Sequence, residues 1–537
     1  MTGLPVAAST ISPPVPDAAR LAARQRLILH LDRAVTRATL IAPAEGNTRF
    51  AGAATCAADL PNLGATTLRE YLSRQTGEAI READAAIISR PPLRLLVIGM
   101  PQPEDEVALS TIATFGIARI TERITPPHGP ERESRWAAML IERIARREAD
   151  ALALHITPGP LAGWAARLFN AISALPRHRQ PRGLVRGLPP ELSDLAPDSV
   201  VLIPSGGDAA EAYTHALSRV VAARLALNPL PPTVLFRVPA LVTALVAAER
   251  VIGTSVLYMD VSDGTTLIFT EGGRARVFRN AAVDAGAGAA TLLAQVDEER
   301  IRRWLPFPMS AAALRGWAVR RAAFPAAMPL VPHDRILTAA FARESLRTLA
   351  AHVGPAIEAS GMCLLGPGTG AWGTPGQTLL AVMDTVSLAG PTPIAGDTDD
   401  LLPVIGWLAR ENPESAAALF THDALTPLGT AVPVFGSGGA KETALRVALT
   451  EPAQADTQAV SVQWGALLRL PLPDGPANLS TLGRGDRDFQ AVAVQGGTGG
   501  VLIDGRGRPL LTAQSREEQH ERVRQWFAML DPRGIPR

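Results

Sequence analysis

The sequence predicts an α/β protein of several domains, and three observations indicate this class. Between residues 93 and 208, short apolar segments alternate with segments of helical periodicity, which is typical of parallel strand–helix units. Two hairpins share one pattern, in which a strand ends in aspartate and a turn leads to a second strand; they lie at Asp32 and Asp260. The chain has 537 residues, 47% of them hydrophobic, so it is long and apolar enough for several cores.

The first 90 residues predict a lead-in followed by a hairpin. Residues 1–26 contain several prolines, and we expect them to be mobile. Apolar runs predict strands at 26–32, 36–41 and 48–54, with a turn at 45–47. Residues 66–86 have helical spacing, because Leu68, Leu72 and Ile80 fall on or near one face.

The next region predicts strands and helices in turn. Strands are expected at 93–99, 117–124, 151–156 and 199–204. Helices are expected at 104–115, 136–147, 209–227 and 239–252. Residues 176–190 are rich in proline, arginine and glycine, so they predict an exposed connection.

The second half begins with the same pattern as the first. Residues 255–260 predict a strand that turns through Gly264 into a second strand, and the glycine pair 272–273 leads to a third. Residues 286–350 predict helices, 362–366 a strand, 455–512 a β-rich segment and 516–529 a final helix.

These elements predict four regions. Residues 1–26 form the mobile segment, and residues 27–252 form a first lobe with an α/β insertion at about 90–230. Residues 253–450 form a second lobe, and residues 451–537 form a small β-rich domain with the final helix.

Composition excludes several classes of protein. The chain has 52 Lys and Arg against 51 Asp and Glu, so it lacks the basic footprint of a nucleic-acid-binding protein. No apolar run approaches the ~18 residues of a membrane span. Two distant cysteines make neither a disulfide framework nor a zinc site, which favours a reducing, cytoplasmic setting. Charged residues are only 19% of the chain, which favours buried surface between domains or between the subunits of a homo-oligomer. We also expect most of the arginine side chains to lie in solvent at the surface.

Three strand exits carry residues that could hold a nucleotide. Backbone N–H groups of a hairpin turn can form an anion-binding concavity, and threonine adds a donor. An aspartate can hold Mg²⁺ through water or orient an attacking water, and Asp32 and Asp260 are the candidates for both roles. Glycines would let a base and ribose approach the backbone. The candidate nucleotide contacts are Ala34 and Thr36 in the first exit, Ser262, Gly264, Thr265 and Thr266 in the second, and Gly366, Gly368 and Gly370 in the third.

A structural interpretation stays open for each hairpin by itself. An aspartate at a strand end is often only a turn or capping residue. We favour this interpretation for Asp208, which follows another strand. Two matched hairpins together with a glycine-rich turn favour nucleotide binding.

The order of these motifs resembles the phosphate and adenosine motifs of the superfamily that joins actin, heat-shock chaperone ATPases and sugar kinases. More specifically, the chain resembles the glutamate mutase L family over about residues 27–530. The resembling segments are 49–51, 260–266, 399–403 with Gly406, 425–430, 496–499 and 501–509.

The resemblance implies an actin-like ATPase (ribonuclease H-like) fold, with two lobes and a cleft between them. It also implies an accessory protein that binds ATP and Mg²⁺ and maintains or reactivates an adenosylcobalamin-dependent mutase. Such a protein would act by closing on ATP and relaxing on hydrolysis.

The chain departs from the family pattern at its phosphate turns. Ala34, Ser262 and Asp263 stand where the family has glycine, and Pro367 removes a backbone donor. We therefore expect weak or vestigial binding of ATP and Mg²⁺ and at most weak ATPase activity. The alternative is a pseudo-ATPase, an interaction scaffold that no longer binds nucleotide.

Overall fold

The computed structural model describes most of the chain as two compact units. The described residues are 25–530 apart from 33–34, 45–46, 58–60, 77–82, 90–92, 128, 147–148, 157–162, 178–179, 204–207, 225–232, 263, 326, 328, 355–359, 369–372, 440, 451–456, 483–490 and 508–514. The N-terminal unit comprises Arg24–Ala42 and Phe50–Ala240, and the C-terminal unit comprises Leu241–Arg537 with Pro43–Arg49. Nearly all of the expected lead-in, residues 1–26, lies outside the described residues.

The N-terminal unit contains ten strands and five helices among its described residues. They are β1 (Arg26–Asp32), β2 (Val35–Ala44), β3 (Asn47–Ala57), α1 (Pro61–Thr76), β4 (Ala85–Ser89), β5 (Leu93–Gly99), α2 (Pro103–Thr114), β6 (Ala118–Ile124), α3 (Pro130–Ala145), β7 (Ala151–His155), α4 (Gly163–Ser173), β8 (Arg182–Arg186), β9 (Val200–Ile203), α5 (Ala209–Arg224) and β10 (Thr233–Phe236). Helix α6 (Arg237–Ile252) follows and contains the boundary between the units.

The first sheet of this unit has the strand order β10-β4-β1-β2-β3. Strand β1 pairs antiparallel with β2 and parallel with β4, and β4 pairs parallel with β10. If the five strands are numbered in the order in which they occur along the chain, the sheet from β3 to β10 has the order 3-2-1-4-5. Two of its strands were not predicted. Only Ala85 and Ala86 of β4 overlap the expected helix 66–86, and the rest of β4 and all of β10 lie in stretches to which no element was assigned.

The insertion between β4 and β10 forms a second sheet, with the order β6-β5-β7-β8-β9. Every neighbouring pair in it is parallel. The expected alternation of strands and helices is therefore confirmed. The expectation of an exposed connection at 176–190 is wrong, because β8 lies within it, pairs with β7 and β9, and buries Leu184 and Val185 completely.

The C-terminal unit contains the remaining elements. They are β11 (Val256–Asp260), β12 (Thr265–Glu271), β13 (Arg274–Asn280), α7 (Ala289–Gln295), α8 (Glu298–Arg302), α9 (Ala311–Ala323), α10 (Pro332–Ala350), β14 (Met362–Leu365), α11 (Pro375–Thr385), β15 (Thr392–Gly396), α12 (Leu402–Glu411), α13 (Pro413–Leu419), β16 (Thr426–Pro433), β17 (Thr443–Thr450), β18 (Thr457–Gln463), β19 (Leu467–Leu470), β20 (Pro476–Thr481), β21 (Val492–Gln495), β22 (Val501–Asp504) and α14 (Arg516–Leu530).

The main sheet of this unit has the order β13-β12-β11-β14-β15-β16-β22-β19. Its first five strands repeat the arrangement of the N-terminal unit: β11 to β13 are antiparallel neighbours, and β14 and β15 continue parallel to β11. Three antiparallel strands followed by two parallel ones in this order form a ribonuclease H-like core. The α/β class and the actin-like ATPase fold are thus confirmed, with one such core in each unit.

Residues 451–537 contribute to two sheets of the C-terminal unit. Strands β18, β20 and β21 join β17 in a four-stranded sheet, whereas β19 and β22 extend the main sheet. The final helix α14 buries Val523, Phe527 and Leu530 in the same core as β11 and β14. Residues 451–537, for which we expected a small β-rich domain with a final helix, thus contribute strands and apolar side chains to the sheets and core of this unit.

Candidate functional site

Three parallel strands of the C-terminal unit end side by side. Because β11, β14 and β15 are parallel, their carboxyl ends meet at the same edge of the sheet. Asp260 is the last residue of β11, Gly366 follows β14 and Asp397 follows β15. Backbone bonds fix this alignment, since Gly366 N donates to Met259 O and Asp397 N donates to Leu365 O, both at 2.8 Å. Open α/β sheets bind ligands at this edge.

The carboxylate of Asp260 is buried and hydrogen bonded within its own turn. Asp260 is 5% exposed. Its Oδ1 accepts the backbone N–H of Ser262 at 3.1 Å, and its Oδ2 accepts the Ser262 hydroxyl at 2.7 Å and the Tyr258 hydroxyl at 3.3 Å. Ser262, which stands where glycine was expected, therefore holds the carboxylate that we predicted to serve a metal or water.

The glycine turn after β14 lies directly against Asp260. A Cβ atom on Gly366 would lie 2.4 Å from the Tyr258 hydroxyl and 2.6 Å from Asp260 Cγ. A Cβ on Gly368 would lie 2.8 Å from Ser262 N. The second and third predicted strand exits are thus adjacent, and only glycine permits this approach. Gly370 lies outside the described residues.

The remaining residues of the β11–β12 hairpin support its backbone. Gly264 has φ +76°, which glycine adopts without strain. Thr266 pairs with Asp260 across the hairpin. Thr265 is fully buried, and its hydroxyl donates to Val283 O at 2.6 Å. This hydroxyl proton therefore already has an acceptor within the protein.

A second buried aspartate, Asp284, ties this hairpin to the loop before α7. Its Oδ1 accepts Gly286 N at 2.5 Å and Gly288 N at 2.9 Å, and its Oδ2 accepts Gly264 N at 3.4 Å. The connection of this loop to Gly264 depends on the fold.

Asp397 is the residue at this edge that the sequence analysis missed. It is fully buried, and its carboxylate accepts Leu401 N at 2.7 Å and Leu402 N at 3.0 Å, which caps the start of α12. The following turn includes Asp400, the one non-glycine residue of the described chain with positive φ, at +51°. The signal was available, because Asp397 ends an apolar run as Asp260 does.

The predicted residues of the N-terminal unit lie at the equivalent hairpin. Asp32 is the last residue of β1 and pairs with Ser89 of β4, and Thr36 lies in β2. The side chains of Asp32 and Thr36 are not described, and Ala34 lies outside the described residues. The two aspartates therefore occupy the same position in two sheets of the same strand order.

Two other segments of the family resemblance pack against each other. A Cβ on Gly429 would lie 1.9 Å from Gly500 O, and one on Gly497 would lie 2.5 Å from Pro427 O. The Thr430 hydroxyl donates to Gln495 O at 2.8 Å and accepts Gln495 N at 2.9 Å. The backbones of residues 425–430 and 496–500 thus pack closely against each other.

The expectation that the arginines are mostly solvated is wrong for the core of this unit. Arg506 contacts Asp384 at 2.7 Å and Asp504 at 2.8 Å, and all three side chains are 1% exposed. Arg343, 2% exposed, lies 3.6 Å from Asp384. Burial disfavours the charged form of Arg506, but the two carboxylates outweigh it and raise its pKa. Burial lowers the pKa of Arg343, which shares Asp384 with Arg506.

The described part of the chain contains neither a cluster of metal-binding side chains nor a membrane-spanning helix. Its side chains include no group of three or more His, Cys, Asp or Glu placed to hold a metal ion. None of its helices has the length and apolar character that crossing a bilayer requires.

Comparison with known proteins gives only distant likenesses. No protein-family model and no curated protein matches the sequence. Among solved structures, the Ppx/GppA phosphatase of Aquifex aeolicus is 10% identical with a TM-score of 0.20, and the match covers 64% of this chain and 68% of that one. A carbohydrate kinase of Novosphingobium aromaticivorans is 11% identical with a TM-score of 0.22, covering 72% and 93%. An exopolyphosphatase of Cytophaga hutchinsonii is 9% identical with a TM-score of 0.21, covering 74% and 89%. The fold is assigned from the strand order of the two cores.

Proposed function

We propose that the protein binds ATP with Mg²⁺ at the strand ends of the C-terminal unit marked by Asp260, Gly366 and Gly368. The observation that carries this proposal is the contact between the glycine turn after β14 and the Asp260 turn after β11. This contact places the backbone of the glycine turn beside the Asp260 carboxylate at one edge of the sheet, and a carboxylate suits Mg²⁺. Bound Mg²⁺ would neutralise phosphate charge and activate water.

We further propose that this nucleotide site serves an accessory role toward an adenosylcobalamin-dependent mutase. The support is the family resemblance at 260–266, 425–430 and 501–509. The actin-like fold suits this role, because a protein whose nucleotide states differ in shape can use the difference to open a partner.

A pseudo-ATPase scaffold is the second candidate, and one observation favours it. The Ser262 hydroxyl and backbone N–H both bond the Asp260 carboxylate, so the turn is complete without a ligand. In this case the two cores would be retained for interaction with a partner.

Calorimetric titration of the full-length protein with ATP and Mg²⁺ tests the nucleotide site. We expect a dissociation constant on the order of 100 μM, about −5.5 kcal/mol. Asp260→Asn should weaken binding about tenfold or more, because it removes a charge that holds the metal. Ser262→Gly should tighten binding, since it frees the carboxylate and clears the backbone.

Asp297→Asn is the matched control for this titration. Asp297 also caps a turn of the C-terminal unit, accepting Glu299 N at 3.0 Å, but it lies at the start of α8. It should leave nucleotide binding unchanged. If neither the wild-type protein nor Ser262→Gly gives binding heat, the scaffold replaces the ATP-binding proposal.

Capture of the native protein from its own cells tests the proposed partner. We expect the subunits of a cobalamin-dependent mutase to co-purify and to be identified by mass spectrometry, with the yield changing when ATP and Mg²⁺ are added. Recovery of the protein without any mutase subunit would contradict the accessory role, whatever the calorimetry shows.

A further inference from the structure

The parallel sheet of the insertion has a topological switch point of its own. In the order β6-β5-β7-β8-β9, the chain runs from β5 outward to β6 and then returns to β7 on the other side of β5. Open parallel sheets bind ligands beyond the carboxyl ends of the strands at such a reversal, here between β5 and β7. Both strands end there, at Gly99 and His155.

A buried polar cluster occupies this edge. His155 ends β7, Asp105 lies in the first turn of α2 and Tyr213 lies in α5; they are 6%, 5% and 0% exposed. His155 Nδ1 lies 3.4 Å from Asp105 Oδ2, and the rings of His155 and Tyr213 are 6.4 Å apart. Arg186, at the end of β8, contacts the other oxygen of Asp105 at 3.1 Å.

Two atoms of this cluster have no hydrogen-bond partner among the described residues. They are His155 Nε2 and the Tyr213 hydroxyl, and both are shielded from solvent. Leaving a buried polar group without a partner costs free energy, so folded proteins seldom keep one without a reason. These two atoms lie on neighbouring side chains at the switch point, so one ligand with complementary groups would satisfy both.

The protonation states define what that molecule must offer. Burial lowers the pKa of His155 despite the opposing effect of Asp105, so its ring is neutral near pH 7. The contact with Asp105 places its single proton on Nδ1, which leaves Nε2 as an acceptor. Burial raises the pKa of Tyr213, so its hydroxyl keeps its proton and can donate.

The surrounding charges disfavour an anion. Asp105 and Glu104 share Arg186, and Glu106 pairs with Arg123. Three carboxylates against two guanidinium groups leave this edge without excess positive charge.

We propose that the carboxyl edge between β5 and β7 binds a small uncharged ligand with adjacent hydrogen-bond donor and acceptor groups, which pair with His155 Nε2 and the Tyr213 hydroxyl. A primary carboxamide and the edge of a nucleobase both have this chemistry. The site lies within the N-terminal unit and does not depend on the nucleotide site proposed above.

Ligand-observed NMR titration of the full-length protein with nicotinamide and with cytidine tests this site. At least one of the two should bind with a dissociation constant on the order of 1 mM, as its size allows. The tighter of the two identifies the carboxamide or the base edge as the recognised group. Nicotinate should bind at least tenfold more weakly than nicotinamide, because its carboxylate adds charge and offers no donor.

Tyr213→Phe keeps the ring and should weaken binding about five- to tenfold. Ser199→Ala is the control, because Ser199 Oγ is also buried without a partner among the described residues but lies before β9, at the opposite edge of the sheet. It should leave binding unchanged. Both variants should keep the wild-type melting temperature, because neither removes an existing hydrogen bond.

Three results would overturn the proposal. The first is that neither nicotinamide nor cytidine shows binding at concentrations several times the expected dissociation constant. The second is equal binding by Tyr213→Phe and Ser199→Ala. The third is a clear fall in the melting temperature of Tyr213→Phe, which would mean that the hydroxyl already has a partner in the folded chain.

Discussion

Asp384→Ala should lower the free energy of unfolding by about 3–5 kcal/mol, because it removes a carboxylate shared by two buried guanidinium groups. Arg506 Nη2 lies 2.7 Å from Asp384, and Arg343 Nε lies 3.6 Å from it. Arg506 keeps Asp504, but Arg343 would be left without its nearest carboxylate. Urea denaturation of the full-length protein, followed by tryptophan fluorescence, measures the change.

Glu521→Ala is the control for a solvent-exposed ion pair in the same unit. Glu521 pairs with Arg524 at 2.7 Å, and both side chains are about half exposed, so its removal should cost less than about 1 kcal/mol. The double variant Asp384→Ala, Arg343→Met should be less destabilised than the sum of its single variants, because it also removes the guanidinium that Asp384→Ala leaves without its nearest carboxylate. Equal losses for Asp384→Ala and Glu521→Ala would contradict this account of the core.

Gly366→Ala should both destabilise the protein and disturb the candidate nucleotide site. The new methyl group would lie 2.4 Å from the Tyr258 hydroxyl and 2.6 Å from Asp260 Cγ, so one of the two turns must move. Overpacking of this kind costs about 1–3 kcal/mol. We expect a lower midpoint of urea denaturation and, if the wild-type protein binds ATP and Mg²⁺, a loss of that binding.

Gly316→Ala is the control for Gly366→Ala, because the same substitution should here raise the stability of the protein. Gly316 lies within α9, where a Cβ would meet no atom within 4 Å. Alanine should therefore stabilise the helix by about 0.5–1 kcal/mol. A Gly366→Ala variant as stable as Gly316→Ala would show that the turn after β14 has room for a side chain.

Local sequence predicted the two Asp-terminated hairpins well. Strands β1 and β11 end at Asp32 and Asp260 as expected, because a short apolar run followed by turn residues encodes both the strand and its end. The glycines at 366 and 368 were also recognised, since a glycine-rich segment after a buried strand points to close backbone approach.

The strands that complete the cores could not be predicted in the same way. Strand β4 is a five-residue run that begins with two alanines, and these two residues are the end of the helix expected at 66–86. It becomes a strand because β1 and β10 bond both of its edges. Strand β8 was likewise obscured by flanking prolines and arginines, although β7 and β9 pair with it on both sides.

The sequence by itself determined the α/β class, the two aspartate hairpins and the glycine turn, because each is encoded within a few consecutive residues. Only the tertiary structure decided that Asp260, Gly366 and Asp397 share one edge, that Arg506 is buried between Asp384 and Asp504, and that His155 and Tyr213 are neighbours. These relations join residues up to 137 positions apart, from Asp260 to Asp397, and they arise from strand order and burial.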